Sequence, residues 1–332
     1  MSGRDALERK LEALHALRDG SGATAEGPLR KALADRNGFY VSKAAALVDR
    51  FALRPLIPDL LAAFDRFLED PIKSDPQCWA KNALIAALHA LEHRGAAPYL
   101  RGLRHVQMEP VFGGRADSAG ALRGKCALAL ADSDLAPRQI LNALTDLLVD
   151  PERAARLDAV RAVARLAQPE SALLIRFKAL VGDAHPDVMR ECLLSLMTLA
   201  PADSVEFVAR FLDPENELLC GDAAEALAGG RRQEALDALL AFLRRKIPMA
   251  TRRSTLLTLA ASALPESGEY LAAVIANEPV EAAEAALTAL GASRFREQHR
   301  ERVAALVEGR KSAVLDTAMR QAFDDGGGTD EN

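Results

Sequence analysis

Residues 183–200, DAHPDVMRECLLSLMTLA, open on an acidic turn with a proline, carry a basic residue (Arg190) one turn in, and then repeat apolar residues at helical spacing. The preceding residues 169–182, PESALLIRFKALVG, have the same period, so the two segments read as an antiparallel helix pair joined by a short turn. Each helix is too apolar to stand alone. Such a pair buries its faces by stacking on copies of itself, which makes repetition the decisive question.

The prolines answer it. Pro137, Pro169 and Pro201 each open an apolar-periodic segment and stand 32 residues apart, and Pro265 lies two further periods on. Proline suits the first helical position, where its missing N–H would be unpaired anyway. Leu148, Leu180 and Leu212 keep the same step near the ends of these segments. Asp75-Pro76, Asp150-Pro151 and Asp213-Pro214 read as an Asp N-cap followed by Pro at the start of the second helix of a pair.

Composition agrees. The chain of 332 residues is 49% hydrophobic, 27% charged and only 5% aromatic, and it shows no run of alternating β-branched residues, so an all-α fold is expected. A single globular core rarely absorbs this length, whereas a solenoid grows by adding units. One elongated array is therefore expected, a right-handed α-α superhelix of roughly eight to nine helix pairs. No leader or long apolar stretch is present, which points to a cytoplasmic protein without a membrane span. Cys78, Cys126, Cys192 and Cys220 lack metal-site spacing and read as buried reduced thiols.

In chain order, residues 1–25 read as a capping helix and a linker over 20–27, residues 26–323 as the array, and residues 324–332, DDGGGTDEN, as a disordered acidic tail. The third pair is interrupted by residues 105–119, HVQMEPVFGGRADSA, longer than any other turn between paired helices. The last pair is more polar and reads as a cap.

Helix pairs of about this length, with an Asp-Pro turn and a basic residue shortly after the second helix begins, resemble the HEAT-repeat family, specifically the short bacterial type also found in phycobilin lyases. The basic position holds Lys43, Lys81, Lys125, Arg156, Arg190 and Arg253, and Gly221 and Ala283 depart from it. The resemblance covers residues 26–323 and implies curved binding surfaces and only rarely chemistry. Two readings of the ladder stand side by side. Its cations pair with turn aspartates and align the helices, or they form a positive stripe on the concave surface suited to phosphates or acidic protein segments.

Catalytic near-matches fail on context. His89-Ala-Leu-Glu92-His93 satisfies HxxEH, but His105 falls too far along the neighbouring helix to complete a zinc site. Residues 119–126, AGALRGKC, resemble a phosphate loop, but Ala119 and Cys126 replace the first Gly and the Ser or Thr, and no strand is expected before them. The single Trp79 reads as a core residue beside a turn. A basic run between Arg231 and Arg253 reads as decorated helix ends.

A non-catalytic protein-binding scaffold without cofactor or metal is therefore expected, monomeric, with another protein as partner. A nucleic-acid-binding solenoid using the ladder is the rival, and a bilin-lyase-like or chaperone role is what the family analogy adds. The expected partner-binding residues are Met108, Phe112 and Arg115 on the insertion, with Arg123, Lys125, Lys81, Arg156 and Arg190 of the ladder. Val106, Met108, Val111 and Phe112 are apolar residues that the helix pairs do not need for their own packing.

Overall fold

A computed structural model describes residues 3–324. They pack as two compact units that divide between Leu174 and Ile175. The first unit contains α1 (Gly3–Leu17), α2 (Gly22–Leu33), α3 (Gly38–Arg50), α4 (Ile57–Glu69), the single turn α5 (Pro71–Ser74), α6 (Trp79–Ala90) and α7 (Ala97–Leu103). A hairpin of β1 (Met108–Val111) and β2 (Gly114–Asp117) follows, then α8 (Gly120–Ala131), α9 (Pro137–Leu147) and α10 (Arg153–Leu166). The division falls within α11 (Pro169–Val181).

The second unit continues with α12 (Pro186–Leu199), α13 (Pro201–Ala209), α14 (Glu217–Gly229), α15 (Gln233–Leu243) and α16 (Met249–Thr258). It closes with α17 (Pro265–Asn277), α18 (Val280–Ala292), α19 (Arg296–Arg310) and α20 (Ala313–Asp324). In both units consecutive helices pair and the second helices stack on one another: α3, α6, α8 and α10 in the first, α12, α14, α16, α18 and α20 in the second. This is the α-solenoid arrangement of HEAT-like helix pairs.

The local reasons are legible. Pro137, Pro169, Pro201 and Pro265 each occupy the first position of their helix. The second helices are Ala-rich on their contact faces, so their axes approach closely; α18 buries Ala282, Ala283, Ala285, Ala286 and Ala289 beside Leu287 and Leu290. Each fully buried leucine contributes about 2 kcal/mol through the surface it removes from water. Close approach also explains Gly102 of α7, where an added Cβ would collide with the Cys126 thiol of α8.

Several expectations are corrected. The linker proposed over residues 20–27 is helical from Gly22, with Pro28 inside α2. The Asp-Pro pairs do not place proline at the first position of an α-helix. Asp150 and Asp213 instead fold back on their own turns, accepting hydrogen bonds from Glu152 N (2.8 Å) and Glu215 N (3.1 Å), and the helices begin only at Arg153 and Glu217. The interruption at residues 105–119 is an ordered hairpin rather than a structureless loop. The leucine period breaks at Leu180, which faces solvent with Phe177 and Val181, whereas Leu148 and Leu212 are buried. The acidic tail proposed for residues 324–332 lies, beyond Asp324, outside the described residues.

Candidate partner interface

The hairpin is built from its base outward. Its strands pair antiparallel with Met108 opposite Asp117 and Val111 opposite Gly114, leaving Phe112-Gly113 as the turn. Gly113 has φ 85°, a value costly for a residue with a Cβ. At the base, one Asp117 carboxylate oxygen accepts the N–H groups of Gln107 and Ala119, both at 2.9 Å. Glu109 Oε1 accepts from Ser118 Oγ (2.6 Å), from Gln107 Nε2 (2.5 Å) and from the backbone N of Gln77 (2.6 Å), which ties β1 to the turn before α6. Arg115 Nη2 donates to Met108 O across the strands at 2.7 Å. Two strands alone are marginal in water, and these polar ties at the base supply the missing order.

Beneath the hairpin lies Arg123, only 3% exposed. It donates to Asp117 Oδ2 (2.7 Å), to His105 O (2.9 Å) and to both carboxylate oxygens of Asp150 (2.7 Å each), so one guanidinium joins the hairpin, α8 and the turn before α10. Burial pushes the His105 imidazole below its ordinary pKa, against the hydrogen bond from its ring to Gln107.

The ladder is corrected as a surface stripe. Lys81 is 0% exposed; its ammonium contacts Asp75 Oδ2 at 3.0 Å and donates to Phe67 O at 3.3 Å. Asp75 in turn accepts the N–H groups of Ala80 (2.8 Å) and Lys81 (2.9 Å) and so caps α6 from across a tight turn. Arg156 is buried and donates to the carbonyls of Asp150 (2.7 Å) and Pro151 (2.9 Å). Lys81, Arg123 and Arg156 are thus withdrawn from any partner, because the turns between paired helices leave carbonyls and an aspartate that need donors.

The remaining ladder residues are placed differently. Lys125 is half-buried in a cavity of about 260 Å³ with Ile85, His89 and Leu128, and burial lowers its pKa against the pull of Asp158. Arg190 is exposed and bonds Glu225 at 2.5 Å. Its neighbouring turn aspartate, Asp183, is taken instead by Lys178 at 2.8 Å, both buried. Lys43 and Arg253 are exposed, the latter 3.7 Å from Glu284.

What the hairpin offers to solvent is apolar. Val106, Met108 and Val111 are exposed and Phe112 is fully so. Trp79 is also 47% exposed rather than a core residue, and its ring lies 5.1 Å from that of Phe39. Sequence reasoning missed this aromatic pair because Trp79 and Phe39 both stand at helix starts, where periodicity does not decide which face is outward.

The catalytic near-matches dissolve into structural contacts. His89 Nε2 lies 2.6 Å from Asp132 Oδ2, Glu92 pairs with Arg54 at 2.9 Å, and His93 packs edge-on against Tyr99. Among the described residues no three potential ligands converge on a metal position. A strand, β2, does precede residues 119–126, against expectation, but Gly120 and Gly124 serve close helix packing: a Cβ there would press on Glu152 and on Asp158. All four cysteines are buried and free, and burial pushes the thiols up, to about 11 for Cys78 and Cys220 and about 12 for Cys192. No helix of the described residues is long and apolar enough to cross a membrane.

No family model matches the chain, and no curated protein does. Among solved structures it is similar to Kap121p, with 14% identity over 89% of this chain and a TM-score of 0.46. It is also similar to Kap121p bound to Pho4p, with 13% identity over 97% and a TM-score of 0.45. An engineered protein aligns at 16% identity over 90% of both chains with a TM-score of 0.37. The chain spans 41% and 45% of the two Kap121p chains.

Proposed function

We propose that this protein is a non-catalytic protein-binding scaffold whose partner docks on the hairpin of β1 and β2. The observation that carries the reading is the contrast within that hairpin: a part-buried, hydrogen-bonded base, anchored on the buried Arg123, under a tip whose Phe112 is fully exposed. A loop that merely covered a stacking junction would turn its apolar residues inward. This one fixes them outward, and a preorganised apolar anchor binds at low entropic cost. Arg115 stands beside the tip as a charged neighbour for an acidic partner. A nucleic-acid reading loses support from the ladder, because its buried members are already paired.

The test is the double substitution Met108→Ser with Phe112→Ser. The melting temperature stays within about 1 °C, because exposed positions contribute little to stability, while capture of the partner from a lysate is lost. Retention of every protein that the wild type captures counts against the reading. Binding through an apolar tip also responds weakly to salt, whereas phosphate-driven binding falls steeply.

A further inference from the structure

We infer that the groove between α1 and α3 is a second docking site, which takes a short acidic segment of another protein, with an apolar side chain on its floor and carboxylates on its rim. The groove encloses about 380 Å³, with Leu11, Leu14, Phe39 and Leu47 along its floor and His15, Arg18, Lys43 and Arg50 around it. None of these four basic residues makes an ion pair among the described residues. Nearby, Lys10 of α1 meets Asp35 at 2.5 Å, and Arg30 of α2 meets Glu26 at 3.0 Å and Asp59 at 3.3 Å. Lys43 and Arg50 instead lie over the rings of Phe39 (4.9 Å) and Phe51 (5.8 Å). Arg18, Lys43 and Arg50 thus carry their charge around one cavity with no carboxylate in an ion pair among the described residues, which gives a local positive field.

The groove does not end at Phe39. That ring also lines an adjoining cavity of about 340 Å³ whose wall includes Trp79, with Arg36 and Lys73 at its edge. An apolar floor inside a cationic rim selects an occupant that has both characters. A neutral apolar segment leaves the rim unsatisfied, and a bare polyanion leaves the floor in water. The chain's own residues 324–332 supply acids without an apolar anchor. An acidic segment carrying Leu or Phe supplies both, in the manner of acidic-motif recognition by basic clusters. The site shares no residue with the hairpin tip, so the two docking surfaces fail independently.

Trp79 is the only tryptophan and reports on the site through its contact with Phe39. The experiment titrates the full chain with a fluorescein-labelled, Trp-free peptide, EDLEDFED, reading peptide anisotropy and Trp79 emission together. Comparison probes are EDSEDSED, KKLKKFKK and an oligo-dT of eight nucleotides. Saturable binding of EDLEDFED with a Trp79 spectral shift is expected, weakened roughly tenfold or more by Lys43→Glu with Arg50→Glu, and unchanged by Met108→Ser with Phe112→Ser. The uncharged pair Lys43→Gln with Arg50→Gln gives an intermediate loss, and circular dichroism confirms that both variants are folded. The inference is overturned if EDSEDSED or the oligonucleotide binds as tightly as EDLEDFED, or if binding leaves Trp79 emission unchanged. It is equally overturned if no binding occurs below about 1 mM, or if charge reversal alters affinity by less than twofold.

Discussion

Arg123 and Asp150 face each other across two parallel hydrogen bonds, Nε to Oδ2 and Nη2 to Oδ1, both 2.7 Å. A third bond, from Arg123 Nη1 to Asp117, brings the hairpin into the same network. Removing one partner of such a buried pair leaves an unpaired charge inside the protein, so Arg123→Ala loses about 3 to 5 kcal/mol. Arg123→Lys recovers only part of this, since an ammonium does not span both carboxylates. Urea denaturation measures both. A loss under about 1 kcal/mol for Arg123→Ala contradicts the assignment of Arg123 to the turn network.

The hairpin's acid response follows from its carboxylates. For both Asp117 and Glu109 burial alone would raise the pKa, but hydrogen bonds outweigh it. The N–H groups of Gln107 and Ala119 with Arg123 hold Asp117 down, and Ser118, Gln107 and the Gln77 N–H hold Glu109 down. A carboxylate whose folded pKa is depressed contributes its full stability above the unfolded value, about 4, and loses it as the pH falls through the folded value. Amide protection of residues 108–117 therefore persists at pH 5 and is lost below about pH 4. Hydrogen exchange with α18 as the internal reference checks this, and loss of hairpin protection between pH 7 and 5 contradicts it.

Close helix approach sets a third expectation. A Cβ at Gly38 would meet Asp75 Oδ1 at 2.7 Å and Ser74 O at 2.9 Å, so Gly38→Ala pushes α3 from the turn that caps α6. The cost is about 1 to 3 kcal/mol, as for other overpacked positions. Gly27→Ala, where nothing lies within 4 Å, is the control and is neutral or slightly stabilising. Thermal denaturation of the two variants reads the difference, and equal melting temperatures count against it.

Thiol reactivity supplies a fourth. With all four cysteines buried and their thiols pushed up, the native protein gives no titratable thiol to a disulfide reagent at neutral pH, and the unfolded protein gives four. Rapid labelling of any of them without denaturant contradicts this, and for Cys126, Cys192 or Cys220 it shows that the helix carrying the thiol opens locally.

The parts legible in the sequence are those written by period. Pro137, Pro169, Pro201 and Pro265 mark helix starts because proline has one comfortable helical position, and the Ala-rich second helices stack as their composition requires. Less legible were features decided by competition between groups. Lys81 and Lys43 hold equivalent ladder positions, yet one is inside and the other outside, because a carboxylate and three carbonyls converge on Lys81. Arg190 is outside because Lys178, from the other helix of the pair, already occupies Asp183. The hairpin escaped notice because Pro110 and two consecutive glycines weaken a strand pattern, while its order comes from side chains of the base. The exposed face of Trp79 follows from its place at the first position of α6.

The central claim, that the hairpin tip is where a partner protein docks, is tested most directly by photo-crosslinking from position 112. A benzoylphenylalanine replaces Phe112 in the full chain, with the same group at the exposed Gln139 as the control. The account predicts one discrete crosslinked partner from position 112, identified by mass spectrometry, that is absent from position 139 and competed by unmodified protein. A diffuse set of adducts shared by both positions, or none from position 112 in cells where the protein still captures its partner, contradicts it.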